Sequence, residues 1–104
     1  MAIRKLTPEE AKQLMADCRD LCLVDVQDQD EHAQFRIEGA DNIPMGVLEK
    51  KAKRRLKDKT RPILVYGRRS KTAEKAAALL DSLGYTTVYD MGSIMDWPYG
   101  TETF

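Results

Sequence analysis

Two nearly unbroken apolar runs constrain this chain most. Leu21-Cys22-Leu23-Val24-Asp25-Val26 and Pro62-Ile63-Leu64-Val65-Tyr66 are each about the length of one strand. Neither alternates apolar with polar residues, as a half-exposed antiparallel strand does. A strand apolar at successive positions must be covered on both faces, which is the situation of a central strand in a parallel sheet. Parallel neighbours need long crossover connections, usually helical. The runs therefore predict alternating strands and helices, with helices on both faces of one sheet.

The remaining segments fit that plan. Ile3-Arg4-Lys5 reads as a short first strand. Thr7-Pro8-Glu9-Glu10 is a helix start: Thr7 can cap, Pro8 loses nothing at the first helical position, and Glu10 can return the bond. Ala11, Leu14 and Met15 then share one helical face. Polar residues follow Val26 to about Gln34, with one helical turn expected. Residues 40–44 read as a short strand ending at Pro44. Val47 to Leu56 is a basic helix, and Ala73 to Leu83 is a helix rich in alanine and leucine that ends at Gly84. Residues 85–89 are β-branched and aromatic, so a last strand is expected there. A short helix around Ile94–Trp97 ends at Pro98.

At 104 residues, one domain over 1–104 is expected. No run of about 18 apolar residues exists to cross a membrane. The first ten residues contain no apolar run or small-residue cleavage site, so no secretory leader and a cytoplasmic setting are expected. Cys18 and Cys22 form no disulfide framework and lack the second pair or histidine that a metal site would need. No metal and no cofactor are expected. Formal charge is zero, but residues 50–75 carry twelve basic groups against two acidic ones, a net +10, and the rest carry five against fifteen, a net −10. Such a dipole steers small anions better than it holds long nucleic acid.

In open α/β sheets, sites form where strands end and helices begin. Two junctions qualify here: the one after Val26, and Tyr66-Gly67-Arg68-Arg69-Ser70-Lys71-Thr72. Both belong to a larger pattern. Leu23-Val24-Asp25-Val26, Asp30-Glu31, Ile37 to Pro44, Gly84-Tyr85 with Val88-Tyr89, and Gly92 to Trp97 resemble, in order and spacing, the motifs of the rhodanese-like family. The resemblance covers roughly Thr7 to Trp97. It implies a three-layer α/β/α domain with a five-stranded parallel sheet in the order 3-2-4-5-1. Catalytic members of that family carry a cysteine just after the fourth strand. It takes a sulfane sulfur from a donor such as thiosulfate and passes it on from a persulfide.

The position that should hold this cysteine is Gly67, which has no side chain to form a persulfide. Other departures are Gln27 for an arginine, Phe35-Arg36 for Gly-His before Ile37, Thr72 for the closing arginine of the loop, and Ser93 for a glycine. Cys22 lies four strand residues from Val26, on the order of 13 Å toward the opposite sheet edge, and Cys18 lies farther still. Both read as small apolar fillers. The resemblance therefore points to a rhodanese-like protein lacking persulfide chemistry, with no catalytic residue assigned, that acts as an anion-binding or protein-interaction module. The alternative is an active thiosulfate-type sulfurtransferase, working through another cysteine or with Gly67 introduced in place of a native one. A phosphatase on this fold would also need the absent thiol.

Gly67, Arg68, Arg69, Ser70, Lys71 and Thr72 are the expected anion-binding loop, because helix-opening amides and cations favour sulfate, phosphate or carboxylate. Asp25 is expected to support it, either by orienting loop amides or by an ion pair or cap that holds the fold. His32, the single histidine, reads as a partly buried packing residue rather than a base. Lys50–Lys59 reads mainly as a solvated helix face and secondarily as a dock for an acidic protein partner. Nucleic acid is disfavoured there because no aromatic residue interleaves the cations for base stacking, and no membrane partner is expected.

Overall fold

The computed structural model describes residues 3–103. Its strands are β1 (Ile3–Lys5), β2 (Cys22–Asp25), β3 (Asp41–Asn42), β4 (Ile63–Gly67) and β5 (Val88–Ser93). Its helices are α1 (Pro8–Asp17), α2 (Gln29–Gln34), α3 (Leu48–Arg55) and α4 (Ser70–Ser82), with short 3-10 turns at Met45–Val47 and Ile94–Asp96. The sheet runs β1-β5-β4-β2-β3 with every neighbour parallel, which is the expected order read from the other edge. Both apolar runs became interior strands, and all five residues of β4 are buried.

Successive side chains of a strand leave opposite faces, so each run supplies two cores. Val24, Ile63, Val65 and Val88 meet Leu48 and Ala52 of α3 and Ala76, Ala77 and Leu80 of α4. Leu64 and Tyr66 meet Ala11 of α1 together with Met91, Ile94 and Trp97 on the other face. Among the described residues no helix is long and apolar enough to cross a membrane. The α1 capping box forms as expected: Glu10 N donates to Thr7 Oγ1 at 3.1 Å, and Thr7 N donates to Glu10 Oε1 at 2.9 Å. A second box, Asp28 with Glu31, starts α2 and makes a complete short helix of the segment expected to hold one turn.

Two boundaries differ from expectation. The last strand is 88–93, not 85–89. Tyr85 is instead drawn between α3 and α4, where its hydroxyl donates to Leu56 O at 2.6 Å and Ala52 O at 3.2 Å. Asp90, Met91 and Gly92 are poor strand formers, but pairing with β1 and β4 on both sides overrides propensity. Met91 is the extra residue of a bulge, with Val65 opposite Asp90 and Tyr66 opposite Gly92. Gly92 has φ +80°, a conformation other residues rarely adopt. The second difference is that α4 begins at Ser70, three residues before Ala73. Only Arg68 and Arg69 therefore separate β4 from α4, and half of the expected loop, Ser70 to Thr72, is the helix's first turn.

Candidate functional site

β2, β4 and β5 end side by side at the carboxyl edge. Asp25 is in register with Tyr66, Gly67 with Ser93, and Val26 N donates to Tyr66 O at 2.9 Å. A Cβ at Gly67 would stand 3.3 Å from Val26 Cγ2 and 3.5 Å from both Ala73 N and Arg69 O. A side chain there would thus point across the start of α4. Arg69, the N-cap of α4, makes no side-chain capping bond, and Ala73 N donates to Arg69 O at 3.2 Å. The amides of Ser70, Lys71 and Thr72 are left over at the positive end of the helix dipole.

One wall of the site is built on Asp25, which is fully buried. Its Oδ1 accepts from Gln27 N at 2.8 Å. Its Oδ2 accepts from Gln27 Nε2 at 2.9 Å and from Tyr66 OH at 2.9 Å, and lies 2.7 Å from His32 Nδ1. A carboxylate partner requires the histidine proton on Nδ1. Tyr66 OH in turn accepts from Ile37 N at 3.0 Å. Burial first, and then the charge of Asp25, push the Tyr66 phenol far above its usual range, so it stays a donor. Asn42 Nδ2 donates to the carbonyls of Asp25 and Gln27. This network ties the ends of β2 and β4 to α2 and to the connection that leads into β3. Its side-chain members are Asp25, Gln27, His32, Tyr66 and Asn42; no amide of residues 67–72 takes part.

Arg68 stands beside this network, against Phe35. Its guanidinium lies 4.6 Å from the centre of the Phe35 ring, and its carbonyl accepts from Ser93 Oγ at 2.5 Å. A cleft of about 200 Å³ opens here, lined by Val26, Gln27, Glu31, Arg68, Arg69 and Thr72. Of the expected loop, Arg68, Arg69 and Thr72 line this cleft. Ser70 lines a neighbouring cavity of about 130 Å³ with Lys5, Glu74, Asp90 and Gly92. Lys71 is exposed and lines neither.

Sequence reasoning missed Gln27, Glu31 and Phe35 as parts of the site. All three carried a signal: Gln27 and Phe35 depart from the resembled motif, and Glu31 belongs to it. His32 is partly buried, as expected, but it is bonded to Asp25 as well as packed.

Cys22 begins β2 in register with Ile63, at the opposite end of β4 from Gly67. Burial pushes its thiol upward, against forming a nucleophilic thiolate. Among the described residues no three His, Cys, Asp or Glu side chains gather as metal ligands would.

A family model described as Rhodanese-like domain matches residues 7–98. The chain belongs to the rhodanese-like domain family. It is 29% identical over 98 residues to the thiosulfate sulfurtransferase GlpE of Coxiella burnetii, covering 93% of this chain and 89% of that protein. It is 30% identical over 96 residues to a sulfurtransferase of Allochromatium vinosum, covering 91% of this chain and 88% of that one. The solution NMR structure of a rhodanese-like domain from Anabaena sp. superposes with a TM-score of 0.86 at 26% identity, covering 96% of this chain and 79% of that one. The rhodanese-like fold and sulfurtransferase relatives at low identity are thus established. Gly67, the position where the resemblance leads one to expect a cysteine just after the fourth strand, is instead the last residue of β4.

Proposed function

We propose that this rhodanese-like domain lacks persulfide chemistry and binds a small oxyanion at the start of α4. One observation carries the reading. Gly67 stands where the Cβ of a sulfur-bearing side chain would lie 3.5 Å from Ala73 N in the first turn of α4, and the unpaired amides of that turn and Arg68 are still present. A persulfide needs a thiol, whereas anion binding needs only donors and positive potential. The distance and raised thiol of Cys22 support the same reading.

Two measurements test it. Thiosulfate:cyanide sulfurtransferase activity is expected to equal a no-protein control, because loss of a covalent nucleophile costs orders of magnitude in rate. Sulfate or phosphate titrated into the labelled protein is expected to move the amide signals of residues 67–72 first. A clear rate abolished by Cys22→Ala overturns the first half. Static signals at 67–72 while others shift overturn the second.

A second reading concerns α3. Lys50, Lys51, Lys53, Arg54 and Lys57 are exposed. Arg55, by contrast, is paired with Asp41, and Lys59 donates to Leu83 O at 2.6 Å. The apolar residues of α3, Leu48 and Ala52, are buried in the core, so the helix offers a bilayer nothing to insert. An acidic protein segment suits this face. A polyglutamate peptide is expected to bind it, more weakly in added salt and after Lys53→Glu; binding indifferent to both removes this reading.

A further inference from the structure

A groove of about 470 Å³ opens where the 3-10 turn at Met45–Val47 and the start of α3 meet the end of α4; Gly46, Glu49, Lys50, Lys53 and Leu83 line it. That size falls within the range of ligand pockets, roughly 300–1,000 Å³. Its walls can be touched from outside: Gly46, Glu49, Lys50 and Lys53 are exposed, and Leu83 is half-buried. A Cβ on Gly46 would meet no heavy atom within 4 Å, so open space lies over the turn.

The walls carry two kinds of chemistry. Leu83 packs partly against the core and gives the groove an apolar side. Lys59 fixes that side by donating to Leu83 O at 2.6 Å. Lys50 and Lys53 are three residues apart, which sets them on one face of α3. Neither ammonium is in an ion pair among the described residues. Glu49 is one anion against these two cations, and the exposed Lys51, Arg54 and Lys57 add positive potential nearby. A purely anionic chain would answer the lysines and leave Leu83 in water. A purely apolar one would leave both ammonium groups without a partner.

We infer that the groove takes an acidic peptide segment that carries an apolar residue among its carboxylates. The inference rests on the acidic-segment reading of α3 and adds the apolar anchor. Carboxylates answer Lys50 and Lys53, and the apolar side chain covers Leu83 in the space left by Gly46.

The test titrates the full chain with two peptides of about ten residues, one all glutamate and one with a central leucine, following the amides of residues 46–53 and 83. The leucine peptide is expected to bind about fivefold more tightly, the worth of one partly buried leucine side chain. Salt should weaken both peptides and leave the ratio in place. Equal binding, or a preference for the all-glutamate peptide, overturns the anchor and leaves the acidic-segment reading standing. Neither peptide moving those amides overturns both. Leu83→Gln, which keeps the length and removes the apolar surface, is expected to erase the fivefold difference. Gly46→Gln should do the same by filling the groove; its backbone is not left-handed and its Cβ has room, so this variant is expected to fold. A folded variant of either kind that keeps the full preference refutes the inference. A dimer in sedimentation that Gly46→Gln abolishes would assign the groove to a second copy of the chain and refute it as well.

Discussion

Gly67→Cys should give this chain a sulfur-carrying side chain at a small cost in stability. Gly67 does not adopt the left-handed backbone that only glycine favours, so a Cβ is allowed there. The one tight contact is 3.3 Å to Val26 Cγ2; those to Ala73 N and Arg69 O, at 3.5 Å, are ordinary. Val26 is itself buried, so its methyl must give by a few tenths of an ångström against packed neighbours. One such contact belongs at the low end of overpacking costs, about 1 kcal/mol. Replacing glycine also removes freedom from the unfolded chain, which returns ~0.4–1 kcal/mol. The expected net loss is therefore about 0–0.6 kcal/mol, and Gly67→Ala, with the same Cβ and no sulfur, should match it. The new thiol would sit at the α4 N-terminus beside Arg68, both of which favour the thiolate. After thiosulfate treatment, mass spectrometry should find a sulfur adduct on Gly67→Cys and none on the parent. Turnover should stay weak, because Thr72 stands where the resembled loop closes with arginine. A loss above about 2 kcal/mol in both variants would refute the packing estimate. A folded variant with no adduct would refute the idea that the α4 amides converge on this position.

Three further outcomes follow from named contacts. Tyr66→Phe should cost about 3 kcal/mol in urea unfolding at unchanged slope, since a buried carboxylate loses a donor and Ile37 N is orphaned. Tyr85→Phe, which loses only bonds to carbonyls, should cost about 1 kcal/mol; equal costs would deny the Asp25 network its special weight. Burial holds the Asp90 carboxyl above its ordinary value, so the folded state binds that proton more readily than the unfolded chain, and stability falls as pH rises from the unfolded value toward the folded one. Asp90→Asn, which keeps an acceptor for Gly92 N, should thus be more stable than the parent at neutral pH, with the gain vanishing below about pH 3.9; a gain that persists in acid would contradict this. Thr7→Ala should lower stability by about 1 kcal/mol through loss of the α1 cap, and no change in the unfolding midpoint would count against the capping box.

The parts legible in advance are those whose cause is local. Thr7, Pro8 and Glu10 lie within one helical turn, so their capping chemistry is decided before any tertiary contact forms. The two apolar runs needed only their own pattern to demand burial on both faces. Residues 85–87 misled because propensity is a weak guide to strands: Tyr85 is more valuable between α3 and α4, bonded to carbonyls far away in sequence, than as the start of β5. The α2 helix was underrated because its Asp28–Glu31 box stands in a polar stretch with no apolar period to mark it.

For the site, the sequence by itself determined that position 67 carries no side-chain nucleophile, whatever the fold. It also determined that cations crowd the start of a helix, because a strand, two arginines and a helix are contiguous. Tertiary structure alone decided where those cations sit. Arg68 turns inward over Phe35, and Arg69 lines the cleft, while Lys71 faces solvent. It alone brought His32 and Tyr66 onto one carboxylate oxygen of Asp25, and buried Gln27 Oε1 and Arg68 Nη1 without a hydrogen-bond partner among the described residues. The reason is physical. A hydrogen bond between residues 25 and 66 exists only because β2 and β4 pair in register, and register is a property of the assembled sheet.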